Sequence, residues 1–376
     1  MPPEPEDETK KKKRRGNANP PPEGTAGRAA ASLRPTPVFG ESGPPGPRAL
    51  GPRAPGFSAI LALLLASLLI PLGAADALSD PPRRVRAELV RAIPKPPKFT
   101  QGLFFHEGIL YESSGLYGES ELNLWKITET PAKAAGITRG AIVPQRVLDR
   151  REPVKTVKLP PKVFGEGSAF VPSPGGEGYV YVLTWTDRTL LRYSLPDLNP
   201  VMFPATYPGE GWGLTLKGSV LYRSDGSNML WAHDPDTFEL LPDKSFPVTE
   251  TSKDPLIRNR TPVSLLNELE SHPDRDLIFA NVYLTDLVAV IEAGEENSGN
   301  VAFYLDFTEL SRAVRNEHGI KDRGLCLNGL AFDGNGALYA TGKNWPVLLE
   351  VTFDWPEVPG VETGAETGAG KGEEGD

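Results

Sequence analysis

The sequence predicts an all-β protein, a five-bladed β-propeller with one short helix near its C-terminal blade. A unit of two short strands around a turn occurs five times between residues 99 and 343, and each copy carries an apolar–aromatic pair in its second strand. Further strand-like segments lie between the copies. Corresponding polar residues are 65, 46, 55 and 61 residues apart, and several strands within such a period are typical of propeller blades.

The two ends of the chain differ from this repeating part in composition. Residues 1–56 are rich in Pro, Gly, Ala and Arg, so they cannot bury enough apolar surface to offset chain entropy and are predicted to be disordered. Residues 357–376 are rich in Gly and Glu and are predicted to be a disordered acidic tail. Residues 83–355 form the predicted propeller, a length that all-β folds reach as one domain.

An apolar segment separates the N-terminal extension from the propeller. A basic run at Lys10–Arg15 precedes it, and no charge occurs from Phe57 until Asp76. A basic flank, an apolar stretch and small residues are typical of a secretory signal, but the stretch is also long enough to span a bilayer. Residues 57–78 are therefore predicted to be a signal peptide or a membrane anchor. Either one predicts an exported, periplasmic or otherwise extracytoplasmic protein.

Charge and cysteine content exclude several classes of function. The net charge of -9 at pH 7 argues against a phosphate-binding surface and hence against nucleic-acid partners. The single cysteine, Cys326, excludes an internal disulfide framework. The four histidines are scattered without metal-ligand spacing, so no metal site is predicted.

The repeat brings polar residues to two heights around the predicted propeller axis. The first ring consists of Gln101, Glu166, Trp212, Asn267 and Asn328. The second ring, four residues after each aromatic, consists of Gly115, Trp185, Gly226, Tyr283 and Lys343. A purely structural ring would repeat small or apolar residues, whereas these rings mix a carboxylate, amides, indoles and a lysine. The mixture indicates a functional site, with polar residues tolerated beside a wet channel as the alternative.

Two further elements are predicted from local patterns. Asp306 precedes Glu309 by three residues, ahead of a helical segment, which resembles a capping box at a helix start. The first strand, Arg84–Ile93, is expected to pair beside Pro346–Phe353 and close the ring, because closure removes an exposed sheet edge.

Ten short motifs occur in a fixed order: FTQGL, LYESSGLYG, FGEG, LTW, GWGL, SDGS, LNELE, ANVY, LNGLA and TGKNWP. In this order they resemble the plant- and bacterial-type glutaminyl cyclases over residues 98–353. The resemblance implies a five-bladed propeller, unrelated to the zinc-dependent animal-type glutaminyl cyclases, that requires no cofactor. A structural cation in the central channel is left open, because the sequence offers no compact ligand set.

The resemblance also implies a reaction and the residues that perform it. The family converts the N-terminal glutamine of peptides into pyroglutamate and releases ammonia. By motif, Glu166 is the implied acid/base carboxylate, and Asn267 and Lys343 are the implied oxyanion and orientation contacts. The predicted substrate-binding residues are Gln101, Trp185, Trp212, Tyr283 and Asn328. The family often has tryptophan at the position of Tyr283. The tyrosine retains an aromatic wall but adds a hydroxyl.

Several of these residues have structural alternatives. Glu166 could be a salt-bridge partner lining the channel, and Lys343 could be a counter-ion for Glu112 or Glu268. Asn328, like its counterpart in the fourth copy, could satisfy backbone groups at a blade entry. Glu112 itself is predicted to be structural.

The function as a whole also has alternatives. A non-catalytic propeller that binds peptide termini or a cell-envelope partner would share the fold, since propellers support many functions. It would not require Glu166, Asn267 and Lys343 to converge on one pocket beside an indole. A third alternative for the function is a propeller lactonase with a central divalent metal. The segment Ser224–Gly226 is predicted to be a turn or a contact between blades, and the protein is expected to be a monomer.

Overall fold

Each copy of the repeat forms one antiparallel sheet. The computed structural model describes residues 82–128, 147–148, 152–251, 260–294 and 298–356. These residues belong to the unit Leu69–Asp376 and contain 24 β-strands and one α-helix. The sheets are the five blades of a β-propeller, so the predicted fold is confirmed.

The first three blades follow two short strands, β1 (Arg84–Arg86) and β2 (Glu88–Pro94). Blade I consists of β3 (Thr100–His106), β4 (Ile109–Ser114), β5 (Glu121–Thr128), β6 (Val147–Leu148) and β7 (Lys155–Lys158). Blade II consists of β8 (Gly165–Ser173), β9 (Gly176–Thr184), β10 (Leu190–Ser194) and β11 (Asn199–Val201). Blade III consists of β12 (Leu214–Lys217), β13 (Val220–Arg223), β14 (Met229–His233) and β15 (Phe246–Pro247).

The last two blades follow a two-stranded hairpin of β16 (Thr249–Thr251) and β17 (Arg260–Pro262). Blade IV consists of β18 (Leu266–Ser271), β19 (Leu277–Val282), β20 (Leu287–Glu292) and β21 (Val301–Asp306). Blade V consists of β22 (Leu327–Phe332), β23 (Leu338–Gly342) and β24 (Val347–Thr352). The helix, α1 (Thr308–Glu317), lies between blades IV and V in the chain.

The N-terminal segment closes the ring as two strands rather than one. β2 pairs antiparallel with β24, as predicted, with Glu88 opposite Thr352. β1 instead pairs in parallel with β21 at the outer edge of blade IV. The chain crosses between the blades at Ala87, whose N–H donates to the carbonyl of Asp306 at 3.0 Å. The predicted strand over 84–93 therefore serves two blades, and it covers an outer edge of each.

The helix α1 begins where the spacing predicted it, but the predicted capping box is wrong. The N-cap is Phe307, and no side chain caps it. Asp306 is the last residue of β21, and its Oδ1 accepts a hydrogen bond from the N–H of Thr308 at 2.8 Å. Glu309 forms an exposed ion pair with Arg86 instead of reaching back to the cap.

Five apolar clusters hold the blades together, one at each interface between neighbours. The aromatic residue of each repeat is buried in one of them. Each cluster contains residues of two neighbouring blades, such as Tyr111 and Val180, Tyr181 and Leu214, Tyr222 and Ile278, Phe279 and Leu330, and Tyr339 and Leu103. The repeated aromatic position therefore packs between blades, as the repeat predicted.

Glu112 has the structural role predicted for it. It is 0% exposed, and it accepts hydrogen bonds from Lys95 Nζ at 2.8 Å, Thr100 Oγ1 at 2.5 Å and Trp125 Nε1 at 2.8 Å. A buried carboxylate is tolerated when it is paired and its lone pairs are satisfied. Lys95 lies just beyond β2, so this ion pair ties the closing segment to blade I.

The predictions for the two ends of the chain lie outside the described residues. They concern the extension 1–56, the signal or anchor 57–78 and the tail 357–376. Within the part of the chain that is described, no helix has the length and apolar character needed to cross a membrane.

Candidate active site

The polar residues of the first ring lie at bulges in the innermost strands. In four blades the register between the first and second strands shifts at the ring position. In blade II, Gly165 is opposite Thr184 and Ser168 is opposite Val182, so two residues face one. A bulge re-aims side chains out of the alternating pattern of a strand. The ring residues at the four bulges are Gln101, Glu166, Asn267 and Asn328.

Contacts between blades fix two of these bulges. Ser113 Oγ donates a hydrogen bond to the backbone carbonyl of Glu166 at 2.6 Å. Ser224 Oγ donates to the carbonyl of Asn267, also at 2.6 Å. Both serines stand two residues after the aromatic of their repeat, in the preceding blade. The contact of Ser224 confirms the structural role predicted for its segment.

Seven of the ten residues in the two rings line one cavity of about 270 Å³. Its lining residues are Phe99, Gln101, Phe164, Glu166, Trp185, Trp212, Asn267, Tyr283 and Lys343. They come from all five blades, so ring closure gathers side chains that are far apart in sequence. Glu166 and Lys343 share this cavity rather than facing opposite sides of the molecule.

Edge-to-face aromatic contacts build the apolar walls of the cavity. Phe164 lies at 90° to Phe99, with ring centroids 6.0 Å apart, and at 64° to Trp185, with centroids 5.7 Å apart. Trp212 lies at 83° to Tyr283, with centroids 5.7 Å apart. Such geometries are the favoured ones for aromatic pairs. The aromatic group at position 283 therefore forms part of the wall, as the sequence predicted.

Two glycines of the second ring leave room for these aromatic side chains. A Cβ built on Gly115 would lie 2.1 Å from Cε1 of Phe164, and one on Gly226 would lie 2.7 Å from Cη2 of Trp212. Gly226 also has a φ of +80°, a conformation that L side chains rarely adopt. The glycines of this ring thus lie beneath aromatic side chains of the first ring or of its flanking residues.

Glu166 and Lys343 are each 5% exposed. Burial and the charge of the other residue shift the pKa of each group in opposite directions. Burial raises the pKa of Glu166 well above its usual range; the charge of Lys343 opposes this, and Glu210 adds to it. Burial lowers the pKa of Lys343, while Glu166 opposes that shift. Lys343 Nζ lies 4.7 Å from the ring centroid of Tyr283 and 5.3 Å from that of Phe99, within cation–π range.

Neither predicted counter-ion of Lys343 is its partner. Glu112 pairs with Lys95. Glu268 accepts hydrogen bonds from two backbone N–H groups, in blades I and V, at 3.2 and 3.0 Å. Among the carboxylates described, Glu166 is the one whose charge raises the pKa of Lys343.

A family model described as glutamine cyclotransferase matches residues 60–353. This chain belongs to the glutamine cyclotransferase family. A glutaminyl-peptide cyclotransferase of Arabidopsis thaliana is 29% identical over 269 residues, 70% of each chain. The crystal structure of Myxococcus xanthus glutaminyl cyclase is 31% identical with a TM-score of 0.56, covering 73% of this chain and 98% of that chain. The resemblance found in the motifs is therefore confirmed.

Seven of the eight predicted site residues of this cyclotransferase line the cavity, and Asn328 is the exception. Asn328 is fully buried. Its Nδ2 donates to the backbone carbonyl of Thr100 at 3.0 Å and to Oε1 of Gln101 at 3.3 Å. Asn328 thus orients the carboxamide of Gln101 from behind the cavity wall. The catalytic and binding roles of the other seven stay predictions.

Sequence reasoning missed three residues at or beside the cavity of this family member. Phe99 and Phe164 line it, and each stands two residues before a ring member, Gln101 or Glu166. The shared pattern of phenylalanine, one residue, a polar residue and glycine in two blades was the signal available for them. Glu210 lies in an irregular loop outside the repeat, and no sequence pattern indicated it.

The residues that most often ligate metals are dispersed in this cyclotransferase. Within the described ranges no three His, Cys, Asp or Glu side chains form a group that could hold a metal ion. His106 stacks on Phe170 and His233 on Phe238, so both serve in packing. Cys326 is buried and unpaired, as predicted.

Proposed function

We propose that this chain converts the N-terminal glutamine of peptides and proteins into pyroglutamate with release of ammonia. The supporting observation is that Glu166, Asn267 and Lys343, from three blades, line one cavity beside two indoles. A binding module would not need a carboxylate and an ammonium within reach of one small cavity, where burial disfavours both charges. The alternative of a non-catalytic binding propeller is therefore less favoured.

The proposed reaction is an intramolecular acyl transfer. The α-amine of the glutamine attacks the carbon of its own γ-carboxamide, and a five-membered ring forms through a tetrahedral oxyanion. The oxyanion then collapses, the bond from that carbon to the amide nitrogen breaks, and ammonia leaves. Because the nucleophile is tethered to its target, much of the entropic cost is removed before any side chain acts. The protein must move protons and stabilise the oxyanion.

Glu166 performs both proton transfers in this mechanism. Its carboxylate takes a proton from the attacking amine, and the resulting acid donates it to the departing nitrogen. A peptide α-amine has a pKa of about 7.7–8.0 and a free glutamate one of about 4.3, so an ordinary carboxylate is poorly matched to this task. Burial raises the pKa of Glu166 towards that of the amine. Closer matching favours proton transfer in both directions.

Lys343 and Asn267 stabilise the oxyanion and orient the substrate in the proposed mechanism. The ammonium of Lys343 and the amide N–H groups of Asn267 are the donors, and such donors act most strongly where water is excluded. The Oδ1 atom of Asn267 is buried, and no group in the described ranges donates to it. An N–H of the bound glutamine would satisfy this acceptor, which otherwise stays unpaired at a cost.

The aromatic walls and Gln101 supply substrate binding. The walls exclude water from the reacting atoms and contact the aliphatic part of the glutamine side chain. Trp185 is 36% exposed, so it belongs to the rim, where the rest of the peptide leaves the cavity. Gln101, held by Asn328, offers its carboxamide to the polar end of the substrate.

Ammonia release from a glutamine-initiated dipeptide tests the proposal. The full chain is expected to release ammonia far above the uncatalysed rate. The same dipeptide with an acetylated α-amine is the control, and it should release none, because its nucleophile is blocked. No release from the free dipeptide would refute the proposed function.

The proposal extends to cofactors, partners and location. The proton transfers use side chains of this chain alone, so exhaustive treatment with a chelator is expected to leave kcat unchanged; a loss restored by a metal would show that a cation is needed. The expected partners are exported proteins with an N-terminal glutamine, and the expected state is a monomer. N-terminal sequencing of the mature protein would show whether residues 57–78 are removed or retained.

A further inference from the structure

Glu210 lies beside the cavity in the loop between β11 and β12 and is half-buried. Its Oε2 accepts a hydrogen bond from Trp185 Nε1 at 2.6 Å and another from Trp212 Nε1 at 2.9 Å. Both indoles line the cavity, and they belong to blades II and III. One carboxylate oxygen thus joins two cavity walls across a blade boundary. Hydrogen bonds to an ionised acceptor are shorter and stronger than neutral ones.

We propose that Glu210 is a positioning residue that holds both indoles in the orientation that shapes the glutamine pocket. The inference rests on the proposed cyclotransferase function. Glu210 does not belong to the cavity lining, so it acts through the indoles rather than on the substrate. Trp185 is 36% exposed and packs edge-to-face on Phe164. Its hydrogen bond to Glu210 adds a second constraint on the orientation of its ring.

A buried arginine fixes the backbone that carries Glu210. Arg223 is fully buried; its Nη1 donates to the carbonyl of Glu210 at 2.5 Å and its Nη2 to that of Pro208 at 3.1 Å. Its guanidinium carbon lies 4.8 Å from the ring centroid of Tyr207. Movement of this loop would deprive a buried guanidinium of two of its acceptors, which is costly. The carboxylate therefore extends from a fixed backbone.

Gly211, the residue after Glu210, adds a second link to Trp185. Gly211 donates its N–H to the carbonyl of Trp185 at 3.2 Å. A Cβ on Gly211 would lie 2.4 Å from the hydroxyl of Tyr207, so a larger residue does not fit there. That hydroxyl donates to the carbonyl of Thr184, the neighbour of Trp185, at 2.5 Å. The loop thus holds Trp185 by both its backbone and its side chain.

Glu210 also acts on Glu166 through its charge. Burial is the main cause of the raised pKa of Glu166; Lys343 opposes it, and Glu210 raises it further. Tyr207 and Tyr283 also lie within the electrostatic influence of Glu166. Two substitutions separate the effect of Glu210 on the position of the indoles from the effect of its charge on Glu166. Glu210→Gln retains an acceptor oxygen without the charge, and Glu210→Ala removes both.

Indole N–H resonances test the positioning without any assay of activity. The full chain labelled with 15N-tryptophan contains six indoles, and Trp185→Phe and Trp212→Phe variants assign the two of interest. Both resonances should lie downfield and exchange slowly in the wild type, and both should move upfield and exchange faster in Glu210→Ala. In Glu239→Ala, which removes an exposed carboxylate of blade III, neither should change. Unchanged resonances in Glu210→Ala would overturn the inference.

Steady-state kinetics test the consequence for the substrate. In Glu210→Ala the KM for a glutamine-initiated dipeptide should rise roughly tenfold or more with a smaller change in kcat, since lost wall contacts weaken ground-state and transition-state binding alike. In Glu210→Gln the acid limb of kcat/KM should move to lower pH, because the charge that raises the pKa of Glu166 is gone. An unchanged KM in Glu210→Ala overturns the inference while leaving the cyclotransferase proposal intact. A wild type that releases no ammonia refutes the proposed function instead, and the resonances then decide on the positioning.

Discussion

Replacement of Glu166 by glutamine isolates proton transfer from the other functions of the cavity. The two side chains have nearly the same shape, but the amide cannot take up the proton of the amine. The hydrogen bond from Ser113 goes to the backbone carbonyl of residue 166 at 2.6 Å, so the bulge should persist. General acid–base catalysis contributes roughly 10²–10⁴-fold, which is about 2.7–5.4 kcal/mol of transition-state stabilisation at about 1.36 kcal/mol per tenfold.

The same substitution should affect stability in a pH-dependent way that an unfolded variant would not show. The pKa of Glu166 is raised in the folded protein, so folding favours its protonated form, and the stability it contributes at low pH is lost as pH rises through the raised pKa. A glutamine at position 166 does not titrate, so the variant does not lose stability in this way as the pH rises. The unfolding temperature of Glu166→Gln relative to the wild type should therefore increase as the pH rises above about 4.3, the pKa of an ordinary glutamate, as measured by differential scanning calorimetry.

The assay is ammonia release from a glutamine-initiated dipeptide at saturating substrate. Glu177→Gln is the matched control, because Glu177 is exposed at the opposite end of the β8–β9 hairpin, and it should retain wild-type kcat. Glu166→Asp keeps a carboxylate but withdraws it by about 1 Å, which should cost up to about 10²-fold. A folded Glu166→Gln protein with near wild-type kcat would refute the proton-transfer role.

The pH profile is the second readout of Glu166. The acid limb of kcat/KM should lie above the value of about 4.3 for an ordinary glutamate, since it reports the base in the free enzyme. The charged and titratable groups that act with Glu166 are Lys343, Glu210, Tyr207 and Tyr283. Lys343→Met removes the cation that lowers the pKa of Glu166, so in its residual activity the limb should move to higher pH. A movement to lower pH would contradict the assigned electrostatics.

Two further predictions concern packing and stability. In Gly115→Ala the new Cβ would lie 2.1 Å from Cε1 of Phe164, so KM should rise and the free energy of unfolding should fall by about 1–3 kcal/mol. The control is Gly176→Ala, where a Cβ has open space. Equal KM values in the two variants would contradict the close packing of Gly115 against Phe164. Lys95→Met leaves the buried Glu112 without its cation and should lower the free energy of unfolding by about 3–5 kcal/mol. Chemical denaturation measures this loss. Adding Glu112→Gln to the Lys95→Met variant should restore part of it. An unchanged free energy of unfolding in Lys95→Met would contradict the pairing of Lys95 with Glu112.

The rings were predictable because the repeat itself sets the height of each residue around the axis. Five copies of one strand pair bring Glu166, Asn267 and Lys343 together whatever the intervening loops do. The bulges were not predictable, because a one-residue shift of register leaves no mark on an apolar pattern this short. They explain why consecutive residues such as Glu166 and Gly167 depart from simple alternation.

The sequence did not predict contacts that depend on tertiary geometry outside the repeat. The strand over 84–93 reads as one element, but its pairing changes where the chain crosses to the next blade. Asn328 matches the ring pattern, yet its amide is used to hold Gln101. Glu210 meets its two indole partners only because loops of different blades converge, and such convergence has no signature in sequence.

The most direct test is a crystal structure of Glu166→Gln, which should bind without turning over, in complex with a glutamine-initiated dipeptide. The α-nitrogen of the substrate should lie within about 2.6–3.2 Å of the side chain at position 166, with the γ-carboxamide oxygen directed at Lys343 and Asn267. A dipeptide bound in this cavity with its α-nitrogen out of reach of residue 166, or bound elsewhere on the propeller, would contradict the account.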